Sequence, residues 1–180
     1  MIKLHVGCGK RDFGEDWIHV DGAKHPHISC HDVYAFDDLF QPNSINLIYA
    51  SHMVEYFDRK DVANILAKWH SLMSEGGVIR LAVPDFESIW DEYECSNNLD
   101  CLLGMLYGKM KLNDQIIYHK TIYDFDSLKK VLEAAGFKDV RRYNWEQTDH
   151  AQFDDHSQAY LPHMDKKNGR LMSLNVEATK

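Results

Sequence analysis

Short apolar runs alternate along this chain with stretches whose apolar positions recur at helical spacing. Ile2 to Val6 is the first run and ends at a glycine loop. Trp17-Ile18-His19-Val20 is a second, closing on Asp21, and a third covers His27 to Cys30. Ile45 to Ala50 and Val78 to Val83 are clearer, the latter stopped by Pro84, and all five predict strands. Between the last two, Val62, Ile65, Leu66, Trp69, Leu72 and Met73 share one helical face. That spacing predicts a core-facing helix, capped by Asp58 and ended by Gly76-Gly77. Strand, helix and strand in this order predict a right-handed parallel crossover.

Further on, Phe86 to Met110 predicts one or two helices with a break at Asn97-Asn98. Asp124 or Asp126 caps a helix through Leu128, Val131, Leu132 and Ala135, ending at Gly136. Val140 to Tyr143 and Leu171 to Val176 are late strands. In the second, Met172, Leu174 and Val176 alternate with Ser173, Asn175 and Glu177, which predicts a half-buried antiparallel edge strand. Between them runs an irregular polar stretch, Asn144 to Gly169. A loop of that length in a compact domain is usually functional or poorly ordered. The pattern as a whole predicts one α/β domain over residues 1–180.

Composition changes this picture little. Hydrophobic residues are 44% and charged residues 27%, as in ordinary globular proteins. No apolar run approaches the roughly 18 residues of a membrane span, and the N-terminus lacks the features of a signal peptide. Cys8, Cys30, Cys95 and Cys101 form no Cys-x-x-Cys pair, so free thiols and a cytoplasmic location are expected. A net charge of −8, with Arg141-Arg142 the nearest thing to a basic cluster, argues against a nucleic-acid partner. The 11 histidines are many for this length, and most are expected to serve scattered hydrogen-bonding roles.

The candidate chemistry begins at Gly7-Cys8-Gly9. A strand ending in Gly-x-Gly lets a ligand approach the backbone closely, and an acidic residue ending the next strand, here Asp21, can bind a ribose diol. Alone the glycine pair is weak; Asp21 and the second acidic turn at Asp32 strengthen it. Further motifs join these: Ile48-Tyr49-Ala50-Ser51-His52-Met53-Val54-Glu55-Tyr56, Ser74-Glu75-Gly76-Gly77, and Ala134-Ala135-Gly136-Phe137. Together they resemble the class I S-adenosylmethionine-dependent methyltransferases, particularly the small bacterial members associated with surface-polysaccharide biosynthesis. The resemblance implies a Rossmann-like fold, mostly parallel with an antiparallel last strand, and S-adenosyl-L-methionine as cofactor. It places the cofactor's amino-acid portion at Gly7, Cys8 and Gly9, its ribose at Asp21 and its adenine at Asp32 and Val33. Ala50, Ser51 and His52 would lie along its edge.

Two departures matter. Arg11 stands where the family usually has a third glycine, and Gly14 is an alternative. The connections from the first strand to the second and from the second to the third are too short for the usual helices, which must be shortened or lost. One sheet face therefore needs another cover: the long late loop, or a partner subunit such as a second copy or a larger transferase.

Methyl transfer to a hydroxyl also calls for a general base. His119 follows the middle helices, where family acceptor pockets are commonly built, and His156 lies in the late loop; these are the catalytic candidates. His52 is a weaker one. Asp154, Asp155 and His156 are adjacent in the chain and so poorly placed to hold one ion, and no metal is expected. The expected activity is methylation of a small acceptor, implied by the resemblance to be a sugar hydroxyl. Alternatives are an amine or carboxylate acceptor, or a non-catalytic cofactor-binding scaffold.

Overall fold

A computed structural model describes residues 1–34 and 36–180, apart from the side chain of Asp37. In chain order it contains β1 (Ile2–Val6), β2 (Ile18–Val20), β3 (Ile28–Cys30), β4 (Ile45–Ser51), α1 (Val62–Leu72), β5 (Met73–Pro84), α2 (Phe86–Ser96) and α3 (Leu103–Tyr107). There follow β6 (Met110–Leu112), β7 (Gln115–Ile117), α4 (Phe125–Ala134), β8 (Lys138–Arg142), β9 (Tyr160–Leu161), β10 (Arg170–Leu171) and β11 (Ser173–Thr179). Seven strands form the main sheet in the order β3-β2-β1-β4-β5-β11-β8. The first five of these pair in parallel, and β11 runs antiparallel to both β5 and β8.

The two faces are covered differently. Leu4, Val6, Ile48, Ala50, Ile79, Leu81, Leu174 and Val176 point to the side packed by α1 and α4, where Leu66, Trp69, Leu128 and Leu132 close the core. The intervening residues His5, Leu47 and Tyr49 point the other way, as strand alternation requires. No helix lies in the β1–β2 or β2–β3 connections. The late loop covers this second face instead. Phe153 stacks on Phe13 at 4.3 Å, His150 lies 4.0 Å from Tyr49, and the Tyr49 hydroxyl donates to the Asp155 carboxylate. Asp149 is held by Lys3 at 2.7 Å and by Arg80 at 3.4 Å. The choice between loop and partner as the cover of this face falls to the loop.

Several boundaries depart from the sequence pattern. The Asp58 side chain accepts from Lys60 N–H in the turn ahead of α1, and Asp61 occupies the cap position without a side-chain bond. The helix stops at Leu72 because Met73 is already extended; Gly76, at φ +73°, turns the chain within β5. Asn97 does end α2, in the left-handed conformation, and Asp124 caps α4 through a reciprocal pair with Ser127. The hairpin β6–β7 was not expected. The largest correction concerns β11, which is an interior strand and not an edge. Ser173 and Asn175 are 3% and 4% exposed because the late loop lies over them, with Asn175 Nδ2 donating to the Ser157 carbonyl.

Candidate functional site

The C-terminal ends of β1 to β5 and the start of β11 meet at one edge, the crevice where ligands bind in open α/β sheets. On its β1–β3 side the glycine loop leaves Val6. Gly7 has φ +73°, and a Cβ there would lie 2.5 Å from Met53 Cγ, so glycine is required by conformation and by space. Gly9 is also left-handed, at φ +57°, but a Cβ there would meet nothing within 4 Å. Asp21 braces the loop: one carboxylate oxygen accepts from Gly9 N–H at 2.8 Å and the other from Ala23 N–H at 2.7 Å. His27 Nε2 donates to the Gly9 carbonyl at 3.1 Å. Burial, and then the charge of Asp21, push the Cys8 thiol up to about 12, so it stays protonated.

Beyond Asp21, Asp32 Oδ1 accepts from Tyr34 N–H, and Val33 packs against the main core. The β6–β7 hairpin reaches over this region. Asn113 Nδ2 donates to the Gly22 carbonyl at 3.2 Å, beside Asp21. On β4, Ala50 is buried, and the buried Ser51 Oγ has no hydrogen-bond partner among the described residues.

The other half of the site is built around His52, which turns the chain out of β4 at φ +50°. Its Nε2 lies 2.8 Å from Ser173 Oγ, and its ring is 5.1 Å from that of His156. The Ser173 hydroxyl donates to the His156 carbonyl. Glu55, in the 3-10 turn Val54–Tyr56, is 0% exposed, and neither carboxyl oxygen has a hydrogen-bond partner among the described residues. Its Oε1 is 3.7 Å from both His52 Nδ1 and His119 Nε2. Burial pushes its carboxyl up to about 8.

The structure thus brings His52, His119 and His156 into one neighbourhood, but in different roles. His119 is enclosed: Nδ1 lies 3.1 Å from the Met105 carbonyl, Tyr56 packs edge-on at 4.7 Å, and a Cβ at Gly108 would lie 2.5 Å from the ring. His156 is exposed, and its ring nitrogens have no hydrogen-bond partner among the described residues. Packing and then the Arg11 charge lower its pKa, while Asp155 and Asp154 oppose them. Arg11 Nε donates to the Asp154 carbonyl, tying the glycine loop to the late loop. Among the described residues no group of three or more His, Cys, Asp or Glu side chains is placed to hold a metal ion. Nor is any helix there long and apolar enough to cross a membrane.

Sequence reasoning missed Glu55, Ser173, Arg11 and His27 as parts of this site. Glu55 carried a usable signal, an acidic residue between Val54 and the apolar face of α1. Ser173 carried none, since its contacts come from a segment that pairs with it only in the fold.

No family model matches the chain, and no curated protein is similar enough to stand as a relative. Solved structures do resemble it. A SAM-dependent methyltransferase from Archaeoglobus fulgidus gives a TM-score of 0.61 at 17% identity, covering 99% of this chain and 85% of that one. An S-adenosylmethionine-dependent methyltransferase from Mesorhizobium loti gives 0.54 at 15%, covering 99% and 90%. The 1,6-didemethyltoxoflavin-N1-methyltransferase of Burkholderia thailandensis, solved with 1,6-didemethyltoxoflavin and S-adenosylhomocysteine bound, gives 0.56 at 15%, covering 99% and 70%. At these identities the likeness is one of fold. The chain has the Rossmann-like α/β fold of class I methyltransferases, with the expected antiparallel late strand.

Proposed function

We propose that this chain, as a single domain over residues 1–180, is an S-adenosylmethionine-dependent methyltransferase acting on a hydroxyl group of a small acceptor. The observation that carries this reading is the meeting of the Asp21-braced glycine loop with the His52–His156 pair at one end of the sheet. The residues present fit the cofactor. Gly9 opens onto free space, Ser51 Oγ is buried without a partner among the described residues, and each Asp21 oxygen has accepted one backbone bond and retains a lone pair for a ribose hydroxyl. Gly7, Cys8 and Gly9 would hold the amino-acid portion, Asp21 the ribose, Asp32 and Val33 the adenine, and Ala50, Ser51 and His52 the remaining edge.

When bound, the cofactor supplies a methyl group on a sulfonium that leaves readily. The protein's share is alignment and the removal of one proton. His156 is the base we assign, because its ring is open to an incoming acceptor and its lowered pKa keeps it neutral and able to accept at neutral pH. His119, the other candidate, supports the site from within. A base of this kind favours a hydroxyl, which must lose its proton as it attacks. A neutral amine already presents a lone pair. Within that class we take a sugar of a surface polysaccharide, on the family resemblance. A cytoplasmic location belongs to the same reading and rests on the four unpaired cysteines.

Calorimetry with S-adenosylmethionine and S-adenosylhomocysteine tests the first half of this proposal. Asp21→Ala should weaken binding by about 1–3 kcal/mol, the range for a charged hydrogen-bond partner. No binding of either compound by the unmodified chain would sink the reading. Turnover on a panel of sugars tests the second half: His156→Ala should lose it at unchanged cofactor affinity. Binding without turnover on any acceptor would favour the scaffold alternative.

A further inference from the structure

Glu55 is a buried carboxyl group that the proposed reaction does not use, and the hydrogen bonds around it restrict what it can be. The Ser173 hydroxyl gives its proton to the His156 carbonyl, so Ser173 Oγ can only accept from His52 Nε2. His52 therefore carries its proton on Nε2 and turns the lone pair of Nδ1 toward Glu55. A carbonyl likewise only accepts, so His119 Nδ1 donates to Met105 and Nε2 turns its lone pair toward the same carboxyl group. Burial lowers the pKa of both rings, so each is neutral with a single proton. Two lone pairs thus face one oxygen from 3.7 Å, beyond hydrogen-bond length. An ionised carboxylate in that place would have no donor at all from these neighbours.

We propose that Glu55 is a positioning residue whose carboxylic acid proton is offered to His52 Nδ1 or to His119 Nε2, one at a time. Through His52 it orders a short relay, in which His52 Nε2–H donates to Ser173 Oγ and the Ser173 hydroxyl donates to the His156 carbonyl. That relay sets the position of the proposed base. This rests on the methyltransferase reading only for the identity of the base. The proton arrangement itself is a property of the chain alone.

The other titratable groups around the carboxyl group agree with a neutral acid. Tyr56 and Tyr123 both have raised pKa values, chiefly from burial, so both hydroxyls stay uncharged. Neither offers a charge that would ionise it. The positive charge nearby is that of Arg11, which acts on His52 and His156 and not on Glu55. Burial, opposed only by the group's own backbone N–H, therefore sets the acid's protonation, which persists to about pH 8.

Ring nitrogen NMR on the chain without cofactor tests this directly. At pH 7 His52 should be the Nε2–H tautomer and His119 the Nδ1–H tautomer. Raising the pH through about 8 should shift the facing nitrogens of both rings together, as the shared donor is lost. In Glu55→Gln, whose amide donates at every pH, that inflection should vanish while the tautomers stay. Turnover gives a second readout. Glu55→Leu should lose about a hundredfold, the cost of misplacing a reacting group by about 1 Å. Glu55→Gln should recover most of that loss and lack the alkaline fall of the unmodified enzyme. An imidazolium at His119, an inflection that survives in Glu55→Gln, or a Gln variant as impaired as the Leu variant would overturn the proposal. If Glu55→Leu does not fold, the Glu55→Gln spectra still decide. A chain that binds no S-adenosylmethionine yet gives these spectra would remove the methyltransferase reading and leave the proton arrangement intact.

Discussion

Replacing Glu55 by Gln should make the protein more stable, by an amount that grows with pH. The folded carboxyl holds its proton to about pH 8 against an ordinary value of 4.5. The sign follows from proton counting. Between those two values the folded state keeps a proton that the unfolded chain has released, so raising the pH favours unfolding. This group's penalty is absent below about pH 4.5 and complete above about pH 8. Each pH unit inside the window is worth about 1.4 kcal/mol, so the two units from pH 5 to pH 7 carry about 3 kcal/mol. Gln keeps the shape and cannot ionise, so it escapes that penalty. The buried histidines work in the opposite direction. His5, His52 and His150 have lowered pKa values, chiefly from burial, and so lose native stability as the pH falls. They are common to both chains and cancel in the difference. The assay is urea denaturation of the two proteins at pH 5 and pH 7, compared at equal slope. The advantage of Glu55→Gln should widen by about 3 kcal/mol across that interval. A gap that stays constant to within about 1 kcal/mol would show that Glu55 is ionised in the folded protein, and the reasoning would fail.

Other outcomes follow from the late loop and the glycine loop. Tyr49→Phe removes a donor from the buried Asp155 carboxylate, which keeps its bond from Ser157 N–H; the cost should be about 1.5–3 kcal/mol, with faster proteolysis between residues 144 and 169. Gly7→Ala forces a left-handed alanine against Met53 and should cost about 1–3 kcal/mol by thermal denaturation; adding Met53→Ala should return the steric part and leave the conformational part. Asp21→Asn keeps the size of the side chain but loses its charge and turns an NH2 group toward one of the two backbone N–H groups the carboxylate accepts from, so calorimetry should show weakened cofactor binding together with a loosened glycine loop.

Much of the frame was legible because its signals are local. The apolar run of β4, the one-sided spacing of α1, the break at Asn97-Asn98 and an acidic cap at the start of α4 each depend on residues within a turn or strand of one another. The parallel pairing of β4 and β5 across α1 followed from the crossover rule, while the order of the remaining strands did not. The meeting of Glu55 with His119 and the enclosure of His119 were not legible, since both depend on segments distant in sequence. His119 is fixed by Met105, Tyr56 and Gly108, which meet only when the middle helices fold back on the turn after β4. The short β6–β7 hairpin was passed over because its turn, with Asn113 at φ +53°, lacks the glycine that most plainly marks such a turn.

The misreading of β11 has a cause that also accounts for many of the histidines. A helix satisfies its own backbone groups, so a sheet face beneath helices can be wholly apolar. A loop brings unpaired N–H and C=O groups, and the surface it covers must supply partners for them. Here the covered face does so. Ser173 donates to the His156 carbonyl, Asn175 to the Ser157 carbonyl, and His19 Nε2 accepts from Phe13 N–H. Polar residues alternating with apolar ones along β11 are therefore compatible with burial, although the same pattern ordinarily marks a solvent-facing strand. His5, His19 and His150 belong to this polar and aromatic second core, and burial lowers the pKa of each. The substitution of a loop for two helices has a functional consequence as well. The segment that closes the sheet also carries His156, so the packing of Phe153, Asp155 and Asn175 that stabilises the face is the same packing that holds the proposed base at the crevice.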